Sequence, residues 1–197
     1  IEAIRYALTP LNFSGDILFT SSIDGDIINE DANYNEKFWD VLETDAVNGE
    51  AYLRSQTKKT NFQVGIGIKY AITVGGNDYE TTDDDTIVDL KYVANKVSVF
   101  AEKGKQICFY KYAAVLSSMN HGVEDLLPNA RILVNDACRK GFDTLLEEHR
   151  LVWKNIWEHS DIVIEGDVEA QQGIRFNIFQ LKQTYTGDDA RLNIGPK

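Results

Sequence analysis

The stretch Phe62-Gln-Val-Gly-Ile-Gly-Ile-Lys-Tyr-Ala-Ile-Thr-Val74 decides the fold. Val64, Ile66, Ile68, Tyr70 and Ile72 recur at every second position, the period of a strand with one buried face. Gly75-Gly-Asn-Asp78 then breaks the run as a turn does. Upstream, Ile1 to Leu8 and Asp16 to Ile23 read as strands on either side of a Pro10…Ser14-Gly15 turn cluster. Downstream, Lys96 to Ala101 and Gln106 to Val115 flank Glu102-Lys-Gly-Lys105, which reads as a hairpin. Short strands without helical periodicity predict an antiparallel β-sandwich over residues 1–118, with open strands that leave it short of partners.

Beyond Leu126 the period becomes helical. Asn129 to Arg139 reads as a helix stopped by Gly141. Phe142, Leu145, Leu146, His149, Val152, Trp153, Ile156 and Trp157 mark an apolar stripe, with His149 read as a core residue. Asp161-Ile-Val-Ile-Glu165 reads as a short strand or extended crossing. Ile174, Ile178, Leu181 and Tyr185 mark a further helix that ends at Gly187. The change of period at 118–126 is the expected domain boundary.

Twenty Lys+Arg against 31 Asp+Glu leave a formal charge of −11, which disfavours nucleic acid and anionic membrane as partners. No apolar run is long enough for a membrane-spanning helix, and no leader pattern opens the 197 residues. Cys108 and Cys138 read as reduced, half-buried thiols of a cytoplasmic protein. The chain opens on Ile1 within a strand and stops in a loop at Lys197, so it is expected to be a fragment, engineered or proteolytic.

Motifs for chemistry are weak. Asp24-Gly-Asp-Ile-Ile-Asn-Glu-Asp31 clusters oxygens but fails the spacing of a calcium loop. Gly65-Ile-Gly67 lacks a third glycine and lies inside a strand, so it is no nucleotide loop. Asp83-Asp-Asp85 reads as a solvated loop, and His121, His149 and His159 are too scattered for a metal set. No Gly-x-Ser-x-Gly elbow occurs, and neither cysteine has an evident base.

Two segments resemble a known family. Asn29-Glu-Asp-Ala-Asn-Tyr-Asn-Glu-Lys-Phe-Trp-Asp40 resembles the Asn-Glu-acidic-x-Asn-Tyr-x-Glu-(Lys/Arg)-Phe-Trp stretch of bacterial maltose phosphorylases, members of glycoside hydrolase family 65. Gln171-Gln-Gly-Ile-Arg-Phe-Asn-Ile-Phe-Gln-Leu181 and Gly187-Asp-Asp-Ala-Arg-Leu-Asn-Ile-Gly-Pro-Lys197 resemble that family's entry into its catalytic barrel. The resemblance implies a super-β-sandwich (1–118), a helical linker (119–167) and the start of an (α/α)6 barrel (168–197). It also implies an inverting α-glucoside phosphorylase, cytoplasmic and homodimeric when intact, that converts maltose and phosphate to β-glucose 1-phosphate and glucose with neither a metal nor an organic cofactor. Trehalose and kojibiose phosphorylases are the alternatives within the family; the 189–197 segment favours maltose.

In the family the catalytic glutamate lies deeper in the barrel. No residue here matches its motif, so no catalytic residue is assigned and the chain alone is expected to be inactive. Tyr34, Trp39, Arg191, Asn193 and Lys197 are the substrate-adjacent candidates, with loop packing weighed above sugar contact for each. Trp153, Trp157 and Phe142 are read as core or interface anchors. The rival reading is a stand-alone carbohydrate-binding or scaffolding sandwich presenting Trp39 and Tyr34.

Overall fold

The computed structural model describes residues 1–28, 33–47, 49–81, 85–185, 187 and 189–192. Among the described residues nine strands and three α-helices follow one another: β1 (Glu2–Leu8), β2 (Gly15–Asp24), β3 (Trp39–Val47), β4 (Glu50–Thr57), β5 (Gln63–Val74), β6 (Asn77–Asp78), β7 (Asp85–Val88), β8 (Tyr92–Ala101), β9 (Ile107–Ser117), α1 (Leu126–Lys140), α2 (Phe142–Ser160) and α3 (Val168–Thr184). All strand pairs are antiparallel. They form a large sheet in the order β1-β9-β5-β4-β3, with β6 paired to β5, and a small sheet in the order β2-β8-β7.

The alternation along β5 does two jobs. Ile68, Tyr70 and Ile72 enter the core between the sheets. There Tyr70 and Phe109 stack at 5.2 Å and Phe109 and Phe19 at 5.0 Å. Gly65 and Gly67 face the opposite way, beneath α1. A Cβ on Gly65 would lie 2.8 Å from Leu126 Cβ, and one on Gly67 2.9 Å from the Tyr52 ring and 3.2 Å from Ala130 Cβ. Glycine here permits the close approach of a helix. Leu126, Ala130, Val134 and Ala137, one face of α1, are buried with Tyr52, Ala114 and Leu116.

The expected hairpin at 96–115 does not form. β8 pairs with β2 and β7, whereas β9 pairs with β1 and β5. The Glu102–Lys105 turn crosses between the sheets, as the β1–β2 connection does at the same end. The two are stitched together by Gly104 N–H to Pro10 O (2.8 Å) and Lys103 N–H to Ser14 Oγ (2.9 Å). Crossing puts the apolar faces of both strands into one core: Val97, Val99 and Ala101 pack with Ile107 and Phe109. A flat hairpin would have left them side by side in one layer.

The chain divides into two compact units, Ile1–Leu145 and Leu146–Lys197. The first holds the sheets and α1, and the Gly141 N–H closes α1 on Ala137 O. In the second, Trp153 of α2 meets Phe179 of α3 at 4.9 Å, so α3 folds back on α2. Residues 161–164 are not a strand. Two of their backbone groups bond the Gln171 side chain, which donates to Ile162 O and accepts from Ile164 N–H. His149, read as a core residue, is exposed beside Trp153. Helical spacing alone does not tell the covered edge of a stripe from its open edge.

If the glycine strip sets the height of α1, Gly65→Ala costs about 1–3 kcal/mol of stability through overpacking. Gly15→Ala, where nothing lies within 4 Å, stays within about 0.5 kcal/mol of wild type. Urea midpoints followed by circular dichroism compare the two; equal shifts contradict the close-approach role.

Candidate functional site

The loop that leads into β3 holds the most distinctive surface of the first unit. Tyr34 and Asn35 both adopt left-handed backbone, at φ 62° and 56°. That region costs a non-glycine residue about 1–3 kcal/mol and is retained where surroundings impose it. The Tyr34 side chain is 96% exposed. Trp39, five residues on, is half-buried and packs edge-to-face on Phe62 at 6.4 Å.

Around this loop the charges are locked. Asp26 accepts from Lys37 at 2.7 Å and from Lys91 at 2.8 Å, while Asp24 Oδ1 accepts the Asp26 N–H. Hydrogen bonds from Lys37 and then Lys91 lower the Asp26 carboxyl to about 2. Both lysines bond its Oδ1, and Asn29, Glu30 and Asp31 of the acidic run lie outside the described residues. Lys58 reaches Asp40 at 3.6 Å, and its N–H bonds Phe38 O at 2.9 Å. Phe38, Lys37, Thr57, Lys58 and Lys59 line an open cleft of about 400 Å3 beside the loop.

Of the five predicted site residues, Tyr34 and Trp39 lie on this loop. Arg191 belongs to the second unit and forks onto Asp189, with Nε to Oδ1 at 2.9 Å and Nη2 to Oδ2 at 2.6 Å. Asn193 and Lys197 lie outside the described residues, as do residues 29–32 of the Asn29–Asp40 segment.

A second polar cluster was not foreseen in the sequence. On the outer face of the large sheet Glu50 pairs across strands with Lys69. Lys69 Nζ donates to Glu50 Oε1 at 2.9 Å and to Asn135 Oδ1 of α1 at 2.6 Å, and Tyr52 OH donates to Glu50 Oε2 at 2.5 Å. Arg131 lies over the Tyr52 ring at 4.5 Å and bonds Asp45. Below, buried Asn95 of the small sheet donates to Glu50 O, tying the sheets together. Burial works against the Glu50 charge, but the bonds from Tyr52 and Lys69 outweigh it and hold the carboxyl below its ordinary value. Burial first, then Glu50, pushes the Tyr52 phenol up. Cys138 lines a neighbouring cleft of about 410 Å3 with Lys69, Asn135 and Arg139. Burial raises its thiol, which is the unreactive direction. The cluster holds no group poised to move a proton near neutrality. Its only sequence signal was the Glu50–Lys69 register, which becomes readable once the β4–β5 turn is placed.

Comparison with known proteins adds the family. A model described as glycosyl hydrolase family 65, N-terminal domain, matches residues 1–156. Over 99% of its length the chain is 35% identical to maltose phosphorylase of Bacillus subtilis, and over its whole length 30% identical to α,α-trehalose phosphorylase of Thermoanaerobacter brockii. It spans about a quarter of each: 25% and 26%. A solved chain from the human microbiome, provisionally named a kojibiose phosphorylase, superposes on 95% of this chain with a TM-score of 0.76. At 19% identity, over 23% of its own length, it shows the fold alone.

Glu50→Gln leaves Lys69 half-buried without its counter-charge, and about 1–3 kcal/mol of stability is lost at neutral pH. Because the folded carboxyl titrates below its unfolded value, its contribution is complete above the ordinary glutamate range and fades as pH falls through the folded value. The difference between wild type and variant in urea midpoint therefore shrinks from pH 7 to pH 3. A constant gap means that the Glu50 charge is not what stabilises.

Proposed function

This chain belongs to glycosyl hydrolase family 65, and from that membership we propose that the whole protein is an inverting α-glucoside phosphorylase acting on maltose. Phosphate attacks the anomeric carbon of the non-reducing glucose from the face opposite the leaving oxygen, giving β-glucose 1-phosphate, and a carboxylic acid protonates the departing glucose. Phosphate is already anionic, so the second carboxylate that a hydrolase needs to activate water is dispensable. The acid lies outside this chain, within the three quarters of the relatives' length that it does not span. The observation that carries the reading is the 35% identity to a maltose phosphorylase over 99% of the chain, against 30% to a trehalose phosphorylase.

In this reading residues 1–118 form part of the N-terminal sandwich, 119–167 the linker, and 168–197 the start of the helical barrel. The intact enzyme is a cytoplasmic homodimer. Tyr34 is the residue of this chain that meets sugar: it is exposed, aromatic and held in an imposed backbone conformation. Trp39 is the packing residue that positions it. A stand-alone carbohydrate module would present a row of exposed aromatics, and the packing of Trp39 on Phe62 weakens that alternative.

Glucose release from maltose, trehalose and kojibiose, with and without phosphate, tests the proposal. The complete protein should require phosphate and prefer maltose, and the 197-residue chain should release none. Turnover by the pure chain contradicts the placement of the acid, and preference for trehalose contradicts the substrate. In the complete protein Tyr34→Ala raises KM for the disaccharide about 2–10-fold, the loss of one aromatic contact. An unchanged KM removes Tyr34 from the site.

A further inference from the structure

The segment that carries Tyr34 leaves the small sheet at Gly25 and joins the large sheet at Trp39. Its root is wedged between the sheets. A Cβ on Gly25 would lie 2.6 Å from Val41 Cγ2 and 2.9 Å from Leu53 Cδ1, and the Gly25 N–H bonds Lys91 O at 2.8 Å. A bare backbone fits there, so the chain crosses at a fixed point. One residue on, the Asp24 carboxylate accepts the Asp26 N–H at 2.8 Å, a short turn that sets the Asp26 backbone.

Asp26 Oδ1 then takes two ammonium groups, Lys37 Nζ at 2.7 Å and Lys91 Nζ at 2.8 Å. Lys37 stands three residues after Tyr34 on the returning limb, and Lys91 lies in the β7–β8 turn. One oxygen therefore joins the two ends of residues 27–36 and ties both to the small sheet. The arrangement depends on its charge. Two ammonium groups so close to one atom repel each other, and a carboxylate between them makes the triple favourable. The limb that Lys37 fixes is the one with left-handed backbone at Tyr34 and Asn35, a conformation retained where surroundings impose it.

We propose that Asp26 is a positioning residue of the sugar site: its carboxylate, shared by Lys37 and Lys91, holds Tyr34 where the disaccharide meets it. The inference rests on the reading of Tyr34 given above and adds to it a residue that touches no substrate. A single exposed ion pair contributes little, but Asp26→Asn does more than remove one pair. The amide keeps the shape, loses the charge and leaves two ammonium groups facing each other, so the joined ends part. The arrangement that receives sugar is then populated only part of the time, and apparent affinity falls by that fraction.

Two measurements on the complete polypeptide test this. In the first, KM and kcat for maltose with phosphate are compared among wild type, Asp26→Asn, Tyr34→Ala and the double variant. Asp26→Asn should raise KM about 2–5-fold with kcat unchanged. It should add nothing to Tyr34→Ala, because its effect runs through that ring. In the second, 4-trifluoromethylphenylalanine replaces Tyr34 and its fluorine resonance is recorded without sugar. Asp26→Asn should narrow the line and shift it towards that of the free amino acid. An unchanged resonance overturns the clamp. A changed resonance with unchanged KM, where Tyr34→Ala raises KM, shows a clamp that does not serve sugar and overturns the positioning role. A fall in kcat, or additive effects in the double variant, overturns it as well. If Tyr34→Ala itself leaves KM unchanged, the reading of Tyr34 fails and the positioning role falls with it; the resonance then separates that failure from failure of the clamp.

Discussion

The close approach of α1 to β5 over Gly65 and Gly67 is the contact on which the first unit depends. Bare backbone at these two positions lets Leu126 and Ala130 settle against the sheet. The same descent carries Val134 and Ala137 into burial further along the helix. Full burial of such side chains contributes about 1.5–3 kcal/mol each for the larger ones, so the glycines act through what they allow others to bury. The approach also sets the polar contacts. Asn135 reaches Lys69 because the helix is low, and Arg131 lies flat on Tyr52 for the same reason. A helix raised by the thickness of a methyl group would take Asn135 from Lys69 and Arg131 from the Tyr52 ring, leaving the Glu50–Lys69 pair more open to water.

Much of this was legible as periodicity. The alternation of 62–74 and the change to a helical period beyond Ser117 follow from side chains that must face one core, and both appear as β5 and as the β9–α1 boundary. What stayed hidden depended on the third dimension. Gly65-Ile-Gly67 in isolation shows only that side chains are missing; its meaning lies in Leu126 and Ala130, some sixty residues on. The turn after Ala101 has the composition of a hairpin, but whether it folds flat or crosses between sheets is decided by the neighbouring Pro10–Ser14 connection. The exposure of His149 and the Glu50–Lys69–Asn135 cluster escape for the same reason, since periodicity reports a face and not what covers it.

The second unit shows the same logic on a smaller scale. Asp161-Ile-Val-Ile-Glu165 has the residues of a strand but pairs with no strand among the described residues. An extended segment without a ladder must find other partners for its backbone. Gln171 serves two of those groups from the first turns of α3, and Arg175 forks onto Asp161 with bonds of 2.9 and 2.6 Å. The Asp167 carboxylate caps the helix through the Ala170 N–H. Helix start and crossing are thus one construction, in which α3 begins where its side chains are needed.

Several acids among the described residues are each tied to a base or a phenol. Asp26 holds two lysines, Glu50 holds Lys69 and Tyr52, Asp189 holds Arg191, and Asp161 holds Arg175. These bonds hold the Asp26, Glu50, Asp161 and Asp189 carboxyls below their ordinary values, which suits fixing loops in place. Tyr34 differs in kind. It carries a large apolar surface into solvent on a backbone conformation that its residue type does not favour. A packing residue would bury that surface, and a spacer would not keep the strain. In the function proposed above, that exposed ring is the surface this part of the polypeptide offers to sugar.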